Sequence, residues 1–330
     1  MLYSDQQKND LNEGLKIKVI GVGGAGNNAI NRMVEEGIQN VEFIAVNTEE
    51  QILKKSKADK IVHIGKETTK GLGAGSNPVL GEMAAKESEE DLRKCIEGAN
   101  MVFVTAGMGG GTGTGAAPLI CEMSKNMGIL TIGIVTKPFV FEGKRRLENA
   151  EQGIARVKNN VDALIVVENK NLIKTLDKNT SMVEAFKEAD ETLRKGVQGI
   201  TDLITIPGYI NTDFADVETI MKNSGVAHMG IGIATGEQRA LDAATEAIES
   251  PLLDTSVKGA KGLIVNVTGG YDLSLSEVSA AIEYIKTFTD PDANIIFGMN
   301  VNEKIQNQLI VTVIATGIED PDDKVVKYNI

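Results

Sequence analysis

The chain has 330 residues, of which 42% are hydrophobic and 24% are charged, and its net charge is −12. This length corresponds to roughly two domains that can each bury a core, so disorder and small metal-stapled folds are excluded. The acidic balance argues against non-specific binding to nucleic acid or to an anionic membrane, although it does not forbid a local basic patch.

Cysteine and histidine are scarce, with only Cys95, Cys121, His63 and His228 in the chain. No pair of them has zinc-ligand spacing, and a disulfide framework is excluded. We interpret both cysteines as buried free thiols in helices, which fits a reducing cytoplasm. The polar N-terminus and the absence of any run of ~18 apolar residues predict neither a signal peptide nor a membrane-spanning segment.

Short β-branched runs alternate with helical patterns through the first half of the chain. The runs that we expect to form strands are residues 16–22, 42–47, 60–64, 100–106, 129–136 and 162–167. The segments that we expect to form helices are residues 25–36, 78–97, 116–127 and 144–158. This alternation predicts a doubly wound, mostly parallel α/β sheet, in which ligands bind at the carboxyl ends of the strands.

A long helix is predicted to follow, because apolar positions recur at helical spacing through residues 181–203. It has about six turns and no strand close behind it, so it resembles a spine that joins two domains. Beyond it we expect strands at residues 226–234, 262–268, 293–297 and 308–315, and helices at residues 238–249 and 274–288. These elements predict a smaller α+β domain of about four strands.

The first glycine cluster follows the first predicted strand, where Gly21, Gly23 and Gly26 satisfy the pattern G-x-G-x-x-G. Glycines let backbone N–H groups approach phosphates, and the N-terminus of the next helix favours negative charge. Dinucleotide folds also place an acid after the second strand, where this chain has Asn47 and Thr48. Alone, the cluster fits either a nucleotide site or a tight strand-to-helix turn.

The second glycine cluster reads GGGTGTG at residues 109–115, after the fourth predicted strand. Core packing has no use for such a run, because glycine is costly in backbone entropy. Consecutive free N–H groups form an anion nest, and the threonine hydroxyls add donors. With a third loop, GLGAG at residues 71–75, the clusters predict a triphosphate site. The P-loop pattern G-x-x-x-x-G-K-[ST] is absent from the sequence.

Motifs along the chain carry a family resemblance, since GGGTGTG is the tubulin-type nucleotide signature. The accompanying motifs are GVGGAGNNA at residues 21–29, NT at 47–48, GLGAG at 71–75, PFVFEGKRR at 138–146 and NTDFADV at 211–217. From about residue 16 to residue 317 the chain therefore resembles the tubulin/FtsZ GTPase family, in its bacterial cell-division branch. The resemblance implies a cytoplasmic GTPase that binds GTP or GDP with Mg²⁺. It also implies head-to-tail filaments that form the cytokinetic ring on the inner face of the membrane.

The resemblance also implies which residues hold the nucleotide. It places Glu142 on the ribose hydroxyls, Arg146 near the sugar and phosphates, and Asp190 on guanine, with Asn169 and Asn28 beside the base. The full set is Gly23, Gly24, Ala25, Gly26, Asn27, Asn28, Asn47, Gly73, Ala74, Gly75, Gly109, Gly110, Gly111, Thr112, Gly113, Thr114, Glu142, Arg146, Asn169, Phe186 and Asp190. No side chain is assigned as a metal ligand.

The residues alone leave the role of several of these side chains open. Glu142 and Arg146 fit a surface ion pair at i,i+4 spacing, and an acid such as Asp190 in the middle of a helix is usually solvated. A carboxylate nevertheless suits guanine, which presents two donors on one edge where adenine does not.

The catalytic residues implied by the resemblance are Asn211, Asp213 and Asp216. From the sequence alone, Asp213 suits a helix N-cap and Asp216 a first helical turn. Alternatively, the two carboxylates share one face and polarise a water beside a triphosphate. The resemblance implies that they enter the nucleotide site of the neighbouring subunit, so that hydrolysis follows association.

The resemblance divides the chain into an N-terminal tail (1–14), a GTP-binding domain (15–178), a central helix (179–208), a GTPase-activating domain (209–317) and the start of a tail (318–330). Family members continue into a C-terminal peptide that binds membrane-tethering division proteins. This sequence stops at Ile330, 13 residues after Gly317. Direct membrane insertion and nucleic-acid partners are not expected.

Three alternatives remain open at this point. The first glycine cluster also fits a dinucleotide-dependent oxidoreductase, which would give no role to residues 109–115. The second alternative is a monomeric GTP-binding regulator, which would give no role to the Asp213/Asp216 pair. The third is a tubulin-like GTPase that segregates plasmids or shapes cells, which would share the same chemistry.

Overall fold

Seven strands form the larger of two sheets in the computed structural model, which describes residues 14–177, 179–205, 212–249, 255–302 and 305–318. These strands are β1 Ile17–Val22, β2 Val41–Asn47, β3 Lys60–His63, β4 Met101–Gly107, β5 Leu130–Lys137, β6 Ala163–Glu168 and β7 Gly225–Val226. They lie in the order β3-β2-β1-β4-β5-β6-β7, and every neighbouring pair is parallel. The order reverses between β1 and β4, where a doubly wound sheet opens a crevice at the carboxyl ends of its strands.

Helices cover both faces of this sheet. They are α1 Gly23–Glu35, α2 Glu50–Leu53, α3 Lys66–Thr69, α4 Pro78–Glu87, α5 Glu89–Ile96, α6 Thr112–Asn126, α7 Lys144–Asn159 and α8 Asn169–Thr175, with a 3₁₀ turn at Val140–Glu142. The strands are apolar on both sides because alternate residues enter two separate cores. Val19 and Phe103 belong to one apolar cluster, whereas Ile20 and Val104 belong to the other.

Helix α9, Met182–Thr205, connects the two sheets and has 24 residues. Its buried face carries Leu193, Val197 and Ile200, which pack in the same cluster as strands of both sheets. One apolar stripe at helical spacing therefore packs against both sheets. The amphipathic pattern of residues 181–203 predicts this helix.

The smaller domain has a four-stranded mixed sheet with the order β10-β9-β11-β8. Its elements are α10 Phe214–Met221, β8 His228–Thr235, α11 Arg239–Ile248, β9 Gly262–Gly269, α12 Leu275–Lys286, β10 Asn294–Val301 and β11 Gln308–Thr316. Helices α11 and α12 contribute to an apolar cluster on one face of this sheet, while Ile264 and Ile314 on the other face join the cluster around α9. The predicted fold class, a doubly wound domain joined by a long helix to a smaller α+β domain, is confirmed.

Two elements differ from the sequence-based expectation. The helix expected at residues 78–97 is interrupted at Ser88, whose hydroxyl accepts a hydrogen bond from the Gly65 N–H (3.1 Å). The strand expected at residues 226–234 is divided at Ala227, because β7 pairs with β6 and β8 pairs with β11. Both breaks depend on partners that are distant in sequence.

Both cysteines are free thiols, as expected, but only Cys121 is buried, and Cys95 is half-buried. Within the described ranges, no helix is both long enough and apolar enough to cross a bilayer.

Helices α4 and α6 touch backbone to backbone, which makes Gly115 a packing residue. A Cβ atom at Gly115 would overlap the carbonyl oxygen of Pro78 and lie 2.6 Å from the Glu82 nitrogen. We expect Gly115→Ala to lower the free energy of unfolding by about 1–3 kcal/mol although alanine is the better helix former. Urea unfolding measures this change. The matched control is Gly110→Ala, because a Cβ atom at Gly110 meets nothing within 4 Å. Equal losses in the two variants would contradict the packing argument.

Candidate functional site

A cavity of about 430 Å³ opens at the carboxyl edge of the larger sheet. It lies where the strand order reverses, with Asn47 at the end of β2, Gly107 at the end of β4 and Asn169 directly after β6. The sequence-predicted residues in its wall are Gly24, Ala25, Asn47, Gly73, Ala74, Gly75, Gly110, Gly111, Thr112, Gly113, Glu142, Arg146, Asn169, Phe186 and Asp190. The structure therefore brings residues from all three glycine loops and from the central helix to one cavity.

The glycines around this cavity divide into two groups. Gly24 and Gly110 face open space, since a Cβ atom at Gly24 would have only Ile52 Cδ1 within 4 Å, at 3.9 Å, and one at Gly110 would have no neighbour. Gly26 and Gly111 instead allow close packing, because their Cβ atoms would lie 2.5 Å from the Thr105 carbonyl oxygen and 2.8 Å from Ala74 Cβ. The first group leaves room in the cavity, and the second holds its wall together.

Two helices begin at this edge, α1 at Gly23 and α6 at Thr112. Both start within the glycine clusters, earlier than the sequence pattern indicates. The N–H groups of a first helical turn have no partner inside the helix, and the helix dipole adds partial positive charge there. Two such helix ends beside one cavity form a site for an anion such as a phosphate chain.

Asn27 lies beneath the cavity and is fully buried. Its amide donates to the Gly21 carbonyl (2.7 Å) and accepts from the Asn47 amide (2.9 Å), whose own oxygen accepts from the Thr48 N–H (2.9 Å). Every atom of the Asn27 amide is thus bonded within the protein. The structure places this residue as a clamp between β1 and β2 that positions Asn47 in the cavity wall.

The two threonine side chains of the second glycine cluster form hydrogen bonds that stabilise its loop. Thr112 Oγ1 lies 2.6 Å from Thr48 Oγ1, and both hydroxyls are buried. Thr114 Oγ1 accepts from the Gly109 N–H at 2.8 Å. Thr114 and Gly109 are not in the cavity wall, and neither are Gly23, Gly26 and Asn28.

Glu142 and Arg146 form the ion pair that their i,i+4 spacing allows, with Arg146 Nε 3.1 Å from Glu142 Oε2. The other carboxylate oxygen of Glu142 accepts from the Phe139 N–H (2.9 Å). The pair also lines the cavity, so the ion pair is compatible with a contact between these residues and a bound ligand. Beside it, Phe139, Phe141 and Phe186 form an aromatic cluster with centroid separations of 5.1–6.4 Å.

Asp190 and Asn169 both line the cavity, and Asp190 is one helical turn after Phe186 on α9. Burial raises the pKa of Asp190 to about 7, against the opposing charge of Arg32. Asn169 is 5% exposed, and its Oδ1 has no hydrogen-bond partner among the described residues. A carboxylate and an amide oxygen without a hydrogen-bond partner, both in the cavity wall, can accept hydrogen bonds from a ligand.

Sequence reasoning missed part of the cavity wall: Glu49, Ile52, Leu72, Ser76, Gly107, Met108, Thr136, Pro138 and Ala189. Glu49 is the most informative of these, since its Oε2 lies 3.7 Å from the position of a Cβ atom on Gly73. Its place two residues after Asn47, at the end of β2, was the available signal. Thr136 and Pro138 lie at the end of β5, so the same signal was available for them.

Asp213 and Asp216 lie outside the cavity wall, and Asn211 lies outside the described residues. Asp213 is the N-cap of α10, where its Oδ1 accepts from the Asp216 N–H (2.8 Å), and Asp216 Oδ2 accepts from the Asp213 N–H (3.3 Å). After α10, the Gly225 N–H donates to the carbonyl of Asp162, which directly precedes β6. The chain next to α10 is therefore at the amino edge of the sheet, opposite the cavity.

This fold and this cavity together define a tubulin-like nucleotide-binding protein. The family description "Tubulin/FtsZ family, GTPase domain" matches residues 16–177, and "FtsZ family, C-terminal domain" matches residues 225–319. The chain therefore belongs to the FtsZ family of GTPases. The predicted resemblance is confirmed, and the oxidoreductase interpretation is left without support.

Solved structures agree with this assignment. An empty FtsZ dimer from M. jannaschii is 45% identical, with a TM-score of 0.89 over 96% of this chain and 93% of that chain. A mutant FtsZ from M. jannaschii is also 45% identical, with a TM-score of 0.88 over 96% of each chain. CetZ2 from Haloferax volcanii, described as a GTPγS-bound protofilament, is 21% identical with a TM-score of 0.79 over 95% of this chain and 97% of that chain, and shares the fold.

The GTPase family implies binding of GTP and GDP, and the residues of the cavity fit a guanine nucleotide. The side-chain-free space at Gly24 and Gly110, beside two helix ends, suits the phosphates. The Asp190 carboxylate and Asn169 Oδ1, also in the cavity wall, suit a base that carries donors on one edge.

The ionisation of Asp190 yields a prediction about stability. Because its folded pKa is raised, the folded protein binds a proton more tightly than the unfolded chain, so charging Asp190 costs stability as the pH rises from about 4 to about 7. We expect Asp190→Asn to raise the free energy of unfolding of the nucleotide-free protein at pH 8 by on the order of 2–4 kcal/mol. Urea unfolding at pH 8 and pH 5 checks this, and the gain should shrink at pH 5.

The matched control is Asp202→Asn, on the same helix but outside the cavity wall. Burial raises the pKa of Asp202 to about 6, so this variant should show a smaller gain of the same sign without loss of nucleotide affinity. A gain at Asp190 that does not depend on pH would contradict the argument.

Proposed function

We propose that the chain is a self-assembling GTPase that polymerises head to tail into filaments of the cytokinetic ring, in the cytoplasm at the division site. GTP is hydrolysed at the interface between subunits. Membrane-tethering proteins that bind a C-terminal peptide anchor the ring. The observation that carries this proposal is the position of the Asp213/Asp216 pair, which is outside the cavity of its own chain.

The central helix separates the two halves of the proposed active site. Asp190 lines the cavity near the start of α9, and Thr205 is the last residue of that helix, 15 residues later. At a rise of 1.5 Å per residue this corresponds to about 22 Å. Residues that follow α9 therefore start far from the base-binding end of the cavity. A second copy stacked on the cavity would bring its own acids to the nucleotide, and such a contact does not close, so it makes a filament.

Asp213 and Asp216 can cap the helix and also act on a water molecule. Each carboxylate accepts a hydrogen bond from the backbone N–H of the other residue with one oxygen, and its second oxygen is available to a water. Asp213 is exposed and Asp216 half-exposed. In the assembled site, one of these oxygens would orient the attacking water and accept its proton.

Exposed apolar side chains at and near the cavity are evidence for an interface with another protein. Leu72, in the cavity wall, is 84% exposed, and Phe141, next to the wall residue Glu142, is 57% exposed. Val140, in the 3₁₀ turn that ends at Glu142, and Met182 and Val183, in the first turn of α9, are also exposed apolar residues. Apolar side chains around a polar cavity are typical of a surface that another protein covers. The description of the 45% identical FtsZ from M. jannaschii as a dimer agrees with self-association.

The same proposal includes Mg²⁺ bound with the nucleotide. Among the described residues, no group of three or more histidine, cysteine, aspartate or glutamate side chains is arranged to hold a metal. Mg²⁺ is usually held by substrate phosphates together with one or two carboxylates. Glu49 is the acid in the wall beside the glycines of the third loop, so it is the residue that would hold this ion. The ion would offset the charge that develops on the phosphates.

The first test is phosphate release from GTP over a range of protein concentrations, with light scattering read in parallel. Specific activity should rise from near zero above a threshold concentration at which scattering also appears, because the site is completed between subunits. Turnover per protein that stays constant on dilution, with no polymer, would mean that the active site is self-contained.

A mixing experiment tests the shared site directly. Gly110→Asp puts a carboxylate where phosphate binds, and Asp213→Asn combined with Asp216→Asn removes both acids while asparagine still caps the helix. Each variant alone should be inactive. An equimolar mixture should recover roughly a quarter of the wild-type rate, since one junction in four combines an intact cavity with intact acids. Co-sedimentation of both variants is the control, and a mixture that co-sediments without activity would contradict the proposal.

A further inference from the structure

Arg32 is close to Asp190 without touching it. Its Nε lies 3.9 Å from Asp190 Oδ2, which is beyond hydrogen-bond distance. Asp190 lines the cavity, and Arg32 does not. No group among the described residues is hydrogen-bonded to the Asp190 carboxylate. The arginine therefore acts on this carboxylate through its charge and leaves both oxygens free to accept hydrogen bonds from a ligand.

The other charges around Arg32 are paired elsewhere. On α1, Glu35 accepts from Lys57 Nζ at 2.7 Å, and on α9, Glu191 is bound by Arg194. Arg32 nevertheless lowers the pKa of both of these glutamates as a minor cause. The acid Glu36, directly after α1, and the base Lys195 on α9 complete the charged groups around this contact. Asp190 is thus the one acid in this group, among the described residues, that has Arg32 as its ion-pair partner.

Across the cavity, the remaining charges do not reach Asp190. Glu142 is engaged with Arg146, and neither Glu142 nor Glu49, the other acids in the wall, affects the pKa of Asp190. Burial raises the pKa of Asp190 to about 7, and Arg32 is the opposing charge. An acid poised near neutrality changes its ionisation with a small change in its surroundings.

The protonation state of this carboxyl decides which base it complements. An ionised carboxylate offers two acceptors, which match the N1–H and the exocyclic amine of guanine. A protonated carboxyl offers one donor and one acceptor, which match N1 and the exocyclic amine of adenine. A site with a protonated acid at this position would lose affinity for guanine and gain affinity for adenine.

We propose that Arg32 is a specificity-determining positioning residue, whose charge keeps the Asp190 carboxylate ionised so that the cavity selects guanine over adenine. This inference rests on the proposed binding of the base at Asp190. Arg32 lies in the last turn of α1, the helix that begins at the phosphate end of the cavity. One helix therefore contributes to both ends of the site, with its N-terminus at the phosphates and a cation behind the acid at the base.

The test measures binding of fluorescent N-methylanthraniloyl GDP and ADP between pH 6 and pH 8.5. The proteins are wild type, Arg32→Gln, Arg32→Lys and Asp190→Asn. Without the cation, the midpoint of the GDP-binding profile should move up by roughly one pH unit. GDP affinity should then fall about fivefold at pH 7 and less than about twofold at pH 8.5. The preference for GDP over ADP should decrease in parallel, and Arg32→Lys should restore the wild-type midpoint.

The control variant is Arg93→Gln, which removes an exposed arginine that pairs with Glu89 on α5, away from the cavity. It should leave the profile unchanged. The midpoint does not depend on the fraction of folded protein, and ionisation of the ligand phosphates affects all variants alike.

Two results would overturn the inference while the proposed base assignment stands. One is an unchanged midpoint in Arg32→Gln when Asp190→Asn abolishes GDP binding. The other is a shifted midpoint that Arg32→Lys does not restore, because the shape of the guanidinium rather than its charge would then matter. If Asp190→Asn leaves GDP affinity and selectivity unchanged, the base assignment itself fails, and the role of Arg32 fails with it.

Discussion

The structure depends on one constraint, which is that polypeptide backbone must reach the carboxyl edge of the parallel sheet without side chains in the way. Helices α1 and α6 both begin there, and α6 also packs against α4 through Gly115. Glycine is the one residue that satisfies both requirements, because it leaves empty space at Gly110 and permits backbone contact at Gly111. The open space of the cavity and the close packing of its wall thus both depend on glycine.

A second feature is the distribution of function along the central helix. Its first half presents Phe186 and Asp190 to the cavity, while its second half is buried between the two sheets. The 15 residues from Asp190 to Thr205, at a rise of 1.5 Å per residue, put the C-terminus of this helix about 22 Å from Asp190. Under the proposed function, this length is what makes catalysis depend on assembly, because a neighbouring copy must supply the missing carboxylates.

Asp190 illustrates a conflict between stability and binding. Burial makes its charged form unfavourable, and no hydrogen bond from the described residues offsets this cost. The donors that would relieve it belong to the proposed ligand, so the free energy lost on burial is recovered when guanine binds. Arg32 limits this loss by charge alone and does not compete for the oxygens. A buried acid whose carboxylate accepts no hydrogen bond from the described residues is typical of a ligand site.

Local patterns of β-branched, periodic and glycine residues were enough to predict the order of elements, the doubly wound fold, the central helix and the three glycine loops. The tertiary structure decided which glycine faces the cavity, that Asn27 is bonded internally, that Glu49 belongs to the wall and that Arg32 stands behind Asp190. It also decided the break at Ser88 and the change of sheet at Ala227. Apart from the place of Glu49 just after β2, each of these depends on contacts between residues far apart in the chain, and no local pattern carries that information.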